Sequence, residues 1–206
     1  MLAMRVLADE KKVRELVDKL ARQVAADLGG PEAGPWALIG IRSRGDVLAQ
    51  RLAQKLQPDH VGVLDITLYR DDLSELADQP VVRTTEIPFA LDGLNVVLVD
   101  DVLMTGRSIR AALQLLMDLG RPKRVWLAVL VDRGGRELPI APDHVALDLS
   151  GRNPKSKAAS EVQPGQRVEV RLIPMDEQDA VVIREPHADT SGSAIPPSAD
   201  QGTSVP

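Results

Sequence analysis

No cysteine occurs among the 206 residues. That excludes a disulfide framework, a thiolate nucleophile and a cysteine-held metal. Aromatic residues are nearly as scarce. Trp36, Trp126, Tyr69 and Phe89 make up 2% of the chain, too few for a platform on which RNA bases stack. No apolar run approaches the roughly 20 residues that a membrane helix needs. The opening MLAMRVLADEKKVREL carries too short an apolar stretch, and charge too soon, to read as a signal peptide. His60, His144 and His187 lack metal-ligand spacing. The GxxxxGK[ST] and GxGxxG phosphate fingerprints are both missing. A GxSxG nucleophile elbow around Ser43 fails, because Ile41 stands where glycine is required. A net charge of −5 argues against indiscriminate nucleic-acid binding, though it leaves room for a local basic face. A cytoplasmic location is the expectation.

What is present has the mix of a globular protein, 44% hydrophobic and 27% charged. After a candidate cap at Asp9, residues Val13, Leu16, Val17, Leu20, Ala21, Val24 and Leu28 repeat at helical spacing, up to Gly29-Gly30-Pro31. WALIGI (36–41), NVVLVD (95–100) and RVWLAVLVD (124–132) read as strands buried on both faces. VGVLDITLY (61–69) is strand-like, while 47–56 and 108–120 read as helices. DHVALDL (143–149) and QRVEVRLI (166–173) are weaker strand candidates. This alternation predicts an α/β fold, a mostly parallel twisted sheet with helices on both faces. Residues 70–88 are polar, and 150–160 form a small, basic loop. The expected division is a domain over 1–184 and a disordered tail over 185–206, rich in Ser, Pro and Gly.

In such a sheet, ligands sit at the carboxyl ends of the strands. Three of the strands run into polar loops: RSRGD, DDVLMTGRS and DRGGREL. In VVLVDDVLMTGRS (96–108), Thr105, Gly106, Arg107 and Ser108 fall at a helix N-terminus, where free backbone N–H groups and the helix dipole favour an anion. Asp100 and Asp101 are poor phosphate ligands, but they suit ribose hydroxyls or a magnesium ion that itself binds phosphate. A phosphate cup beside two carboxylates points to a sugar phosphate with a metal.

The same thirteen residues resemble, over their full length, the 5-phosphoribosyl 1-diphosphate (PRPP) motif of type I phosphoribosyltransferases. With LIGIRSRG (38–45), LDITLYRDDL (64–73) and AVLVDRGGRELPI (128–140), the chain is similar to the pyrimidine operon attenuation regulators, which are RNA-binding uracil phosphoribosyltransferases. The resemblance covers roughly residues 5–145 and, more loosely, 166–184. It implies a type I phosphoribosyltransferase fold with a small hood region, and the reaction uracil plus PRPP to UMP plus diphosphate with Mg²⁺. Asp100, Asp101 and Arg44 would be the catalytic residues, the aspartates meeting the ribose hydroxyls that also ligate Mg²⁺. Arg42, Ser43, Arg44 and Gly45 would hold the diphosphate, with Arg70 in a segment that closes over the site. Val102, Leu103, Met104, Thr105, Gly106, Arg107 and Ser108 would complete the PRPP contacts. Val131, Asp132, Arg133 and Arg136 are candidates for the base pocket, although both arginines equally suit a solvated loop.

Purine-using members of the superfamily place an acidic residue before the Thr. Met104 stands there, which favours uracil. Lys12, Lys19 and Arg22 in the first helix, with Arg152 and Lys155 beyond the last sheet strand, are candidates for RNA contact. An ordinary charged solvent face is the competing reading. The chain departs from the regulators at RGG, where they read RGH, and in its longer 150–160 loop. A regulator with vestigial transferase activity and a salvage enzyme without RNA binding therefore stay open as alternatives. A homodimer or homotetramer is the implied assembly.

Overall fold

A computed structural model describes residues 4–28, 34–69, 84–152, 162–163 and 165–185. Five parallel strands form the main sheet: β2 (Trp36–Ile41), β3 (His60–Leu64), β4 (Asn95–Leu103), β5 (Arg124–Asp132) and β6 (His144–Asp148). Their spatial order is β3-β2-β4-β5-β6. Helix α2 (Gly45–Leu56) carries the chain from β2 outward to β3. The chain then returns to the other side of β2 as β4, and α3 (Arg107–Leu119) carries it on to β5. The order therefore reverses between β2 and β4, which is where open α/β sheets open a crevice for ligands.

The strands are apolar on both faces because both faces are covered. Side chains alternate across a strand. In β4, Val97 and Val99 pack with α1 (Glu10–Leu28) and α2, while Val96 and Leu98 pack with Ile109, Ala112 and Leu116 of α3. The expected helices on both faces are thus present. All seven apolar positions anticipated in α1 are buried. Asp9 caps α1 as expected: the Lys12 N–H donates to its Oδ1 at 2.8 Å.

A second, antiparallel sheet takes β1 (Met4–Ala8), β8 (Ala180–Arg184) and β7 (Arg167–Arg171), in that order. It is the small hood expected from the resemblance. It joins the α1/α2 side of the core through Val170, Leu172 and Val181.

Three boundaries differ from the sequence reading. The strand expected over 61–69 ends at Leu64, because Asp65 Oδ1 accepts the N–H of Thr67 at 2.9 Å and bends the chain into a short 3₁₀ turn, Thr67–Tyr69. The loop after β2 is only Arg42–Arg44, since Arg44 O already accepts from Leu48 N at 2.9 Å and Gly45 and Asp46 open α2. Strand β4 runs past Asp100 to Leu103, because β5 continues to pair with it as far as Asp132. The expected boundary at 184/185 falls at the end of β8. Arg70, the remainder of 70–83, Lys155 and the tail from 186 lie outside the described residues.

Two glycines let α2 start directly on the sheet. A β-carbon on Gly40 would lie 2.5 Å from Asp46 Cα, and one on Gly45 would lie 2.7 Å from Val99 O. Both obstacles are backbone, so neither can step aside. Gly40→Ala is expected to lower stability by about 1–3 kcal/mol through overpacking, read as a lower urea midpoint with an unchanged slope.

Candidate active site

The loop Arg42–Arg44 and the end of β4 meet at the sheet reversal because β2 and β4 are neighbours in register, Gly40 beside Val99. Between them lies a cleft of about 170 Å³ lined by Arg42, Ser43, Arg44, Ile66, Asp100, Asp101, Val102 and Ser108. Residues expected in one site from two separate motifs are thus side by side. Strand pairing with β5 continues past both aspartates, which draws them into the sheet. Asp100 is 7% exposed.

The carboxylates are held by neighbouring main chain. Asp101 N donates to Asp100 Oδ1 at 3.0 Å, and Val102 N donates to Asp101 Oδ1 at 2.8 Å. Burial still dominates. It pushes the Asp100 carboxyl well above the usual carboxylate range, and the charge of Asp101 pushes the same way. Burial also raises Asp101, against the opposing N–H of Val102 and the charge of Arg44. Among the described residues, no group of three or more His, Asp or Glu closes round a metal. Two carboxylates complete a magnesium shell only together with oxygens of a substrate, which the chemistry of this pair fits.

Past Leu103, whose side chain is in the α3-side core, the chain turns at Met104, Thr105 and Gly106. Gly106 caps α3 with φ 92°, and Arg110 N donates to its carbonyl at 2.9 Å. The N–H groups of 107–109 therefore open the helix. Arg107 N reaches Thr105 Oγ1 at 3.3 Å, and Ser108 lines the cleft. The Arg107 side chain pairs with Glu137 at 2.6 Å.

The segment after β5 is laced to this turn. Arg133 N donates to Leu103 O at 2.9 Å, and Glu137 N and Leu138 N donate to Thr105 O. Arg136 was expected to face either the base or solvent, and its burial excludes solvent. Its guanidinium is buried, paired with Asp132 at 2.7 Å, and donates to Ile140 O and Met104 O at 2.9 Å. The Val131 side chain is packed in the core beneath α1 and α2. The side chains of these three base candidates are engaged inward. Arg133 Nη2 donates to Gln166 O at 2.6 Å, tying the same segment to the hood. Met104 is exposed and lies beside Gly135.

Elsewhere the cations are mostly committed. Arg42 Nη2 pairs with Glu86 at 2.6 Å. Lys12 pairs with Glu15, and Lys19 Nζ donates to Ala146 O at 2.6 Å, while Arg22 and Arg152 are exposed. Tyr69 is pinned away from the cleft, its hydroxyl donating to Asp118 at 3.0 Å. The sequence reading missed Asp176, whose two carboxylate oxygens accept from Arg44 Nε and Nη2 at 3.0 Å each. Nothing local marks it, since it lies 132 residues away.

A parallel sheet reversing at a carboxylate pair, with an anion-ready helix start, suits a sugar-phosphate ligand. The phosphoribosyl transferase domain family matches residues 6–161. Relatives called bifunctional protein PyrR include one from Deinococcus deserti, 50% identical over 85% of this chain and 91% of its own. Another, from Pelotomaculum thermopropionicum, is 47% identical over 87% and 94%. The chain belongs to this PyrR family of phosphoribosyltransferases. The crystal structure of the hypoxanthine phosphoribosyltransferase of Trypanosoma cruzi superposes with a TM-score of 0.60 over 88% of this chain and 97% of that one, at 17% identity, and so shares the fold. The resemblance carried by residues 96–108 is borne out at the level of family and fold.

The buried pair has a consequence for stability. The folded-state pKa values of both carboxyls lie above their unfolded ones, so the folded state favours the protonated pair. That favourable contribution is present below the unfolded carboxylate range and is lost as pH rises through the folded values. Asp100→Asn is therefore expected to melt higher than the native chain at pH 8, by about 2–4 °C for each kcal/mol relieved. The gap should narrow at pH 5, as followed by thermal unfolding.

Proposed function

We propose that this chain transfers the phosphoribosyl group of PRPP to uracil, giving UMP and diphosphate, and that it regulates pyrimidine genes by UMP-dependent binding of their leader mRNA. The observation that carries the transferase reading is the meeting of the Arg42–Arg44 loop, the Asp100–Asp101 pair and the α3 N-terminus in one cleft. Family membership supports both halves of the function.

The backbone of 105–109, at the positive end of α3, receives the 5′-phosphate. Asp100 and Asp101 accept the ribose hydroxyls, and their charge faces the cationic character that develops at the anomeric carbon as diphosphate departs. Arg44, with Ser43 and the start of α2, binds the diphosphate and steadies its negative charge. Magnesium, when bound with PRPP, would neutralise diphosphate and ribose oxygens next to the aspartates. Uracil lies against Met104, which cannot exchange a proton, and against the segment 131–136, which the buried Asp132–Arg136 pair keeps rigid. A uracil nitrogen so placed attacks the anomeric carbon at short range, and positioning supplies most of the acceleration.

Formation of UMP from labelled uracil, PRPP and Mg²⁺ tests the enzyme. The Asp100→Asn/Asp101→Asn double variant should lose at least about 100-fold in kcat. Absence of UMP with the native chain, or full activity in the double variant, would sink the reading. For the regulator, a gel-shift titration with pyrimidine leader RNA should show binding that UMP strengthens and added salt weakens. Binding indifferent to UMP at low salt would remove that half.

A further inference from the structure

We propose that Asp176 is a positioning residue for the transferase: it holds one edge of the Arg44 guanidinium so that the opposite edge is presented to the diphosphate. The proposal rests on the reading of Arg44 as the diphosphate contact.

Arg44 occupies a three-residue loop and has a long, freely rotating side chain that costs entropy to immobilise. Asp176, in the turn between β7 and β8 of the hood, takes its Nε and Nη2 through two parallel bonds of 3.0 Å. This fork fixes the plane of the guanidinium as well as its place. Asp176 is itself fixed. Its Oδ2 accepts Leu172 N at 2.8 Å, and its own N–H donates to Leu172 O at 3.0 Å. The third guanidinium nitrogen, Nη1, makes no hydrogen bond within the described residues, and Arg44 lines the cleft with Asp100 and Asp101.

The hood does not need this pair to dock. Two turns further along α2, Arg51 binds the buried Asp179 with both terminal nitrogens and also donates to Ile173 O at 2.8 Å. Ile173 N closes the ring on Asp179 at 2.9 Å. One Arg–Asp pair thus anchors the turn, while the other, partly exposed, reaches the cleft.

What Asp176 prevents is as important as what it holds. Asp101 also acts on Arg44 through its charge. Released from Asp176, the guanidinium would turn to the Asp100–Asp101 pair and cover the carboxylates that the ribose hydroxyls need. Loss of Asp176 therefore weakens PRPP at its diphosphate and at its ribose and leaves uracil binding alone.

Steady-state kinetics on the full chain, with PRPP, uracil and Mg²⁺, test this through a cycle of Asp176→Asn, Arg44→Gln and the double variant. Asp176→Asn should raise KM for PRPP about tenfold, as expected for loss of a residue that orients a ligand-binding group, with KM for uracil unchanged. The double variant should be no worse than Arg44→Gln. Asp176→Glu should recover part of the affinity. Asp179→Asn should lower the melting midpoint without raising KM for PRPP. If Arg44→Gln raises KM for PRPP and Asp176→Asn does not, or if the two effects simply add, the positioning role is overturned. If Arg44→Gln leaves KM for PRPP unchanged, the reading of Arg44 fails first and the proposal falls with it. Should Asp176→Asn fail to fold, Asp176→Ser, which removes the carboxylate, decides: an unchanged KM for PRPP overturns the role, and a rise supports it.

Discussion

Two adjacent carboxylates buried in a strand are the constraint around which the rest is arranged. Ionised, Asp100 and Asp101 are costly to keep out of water, and two main-chain N–H groups offset only part of that cost. One positive group of the site reaches the pair from another element. Arg44, from the loop after β2, acts on Asp101 through its charge. Stability given up at a candidate site is a common trade against activity.

Around that pair, each wall of the cleft is stiffened by polar groups that are themselves buried. Arg136 spends its donors on Asp132 and on carbonyls of the neighbouring turn, so the segment after β5 cannot drift from the segment after β4. Gly40 and Gly45 remove the side chains that would hold α2 off the sheet. Close backbone approach and buried polar ties both act to keep the cleft at one width.

Much of this was legible in the sequence, for reasons that can be named. Helix α1 showed itself through seven apolar positions at helical spacing, all buried. Strand β5 stood out as an unbroken apolar run, and its bounds match. The PRPP motif is contiguous, so its members could be read together. Asp65 broke a strand that apolar alternation favoured, because its side chain competes for the backbone N–H of Thr67. The short strands β1 and β8 left no signal strong enough to read, since they derive their order from pairing with each other, Met4 with Arg184. Asp176 was invisible for the same reason: its meaning comes from a partner brought near only by the finished fold.

That pairing of β1 with β8 also sets an order of assembly. A chain emerging from the ribosome presents β1 first, the sheet and its carboxylate pair next, and β7 and β8 last. Until β8 arrives, β1 has no neighbour in the hood sheet, and Arg44 lacks the carboxylate that restrains it. The cleft is therefore completed from both ends of the described chain at once. A nascent or prematurely ended chain carries residues 96–108 without the hood sheet and without the Arg44–Asp176 pair.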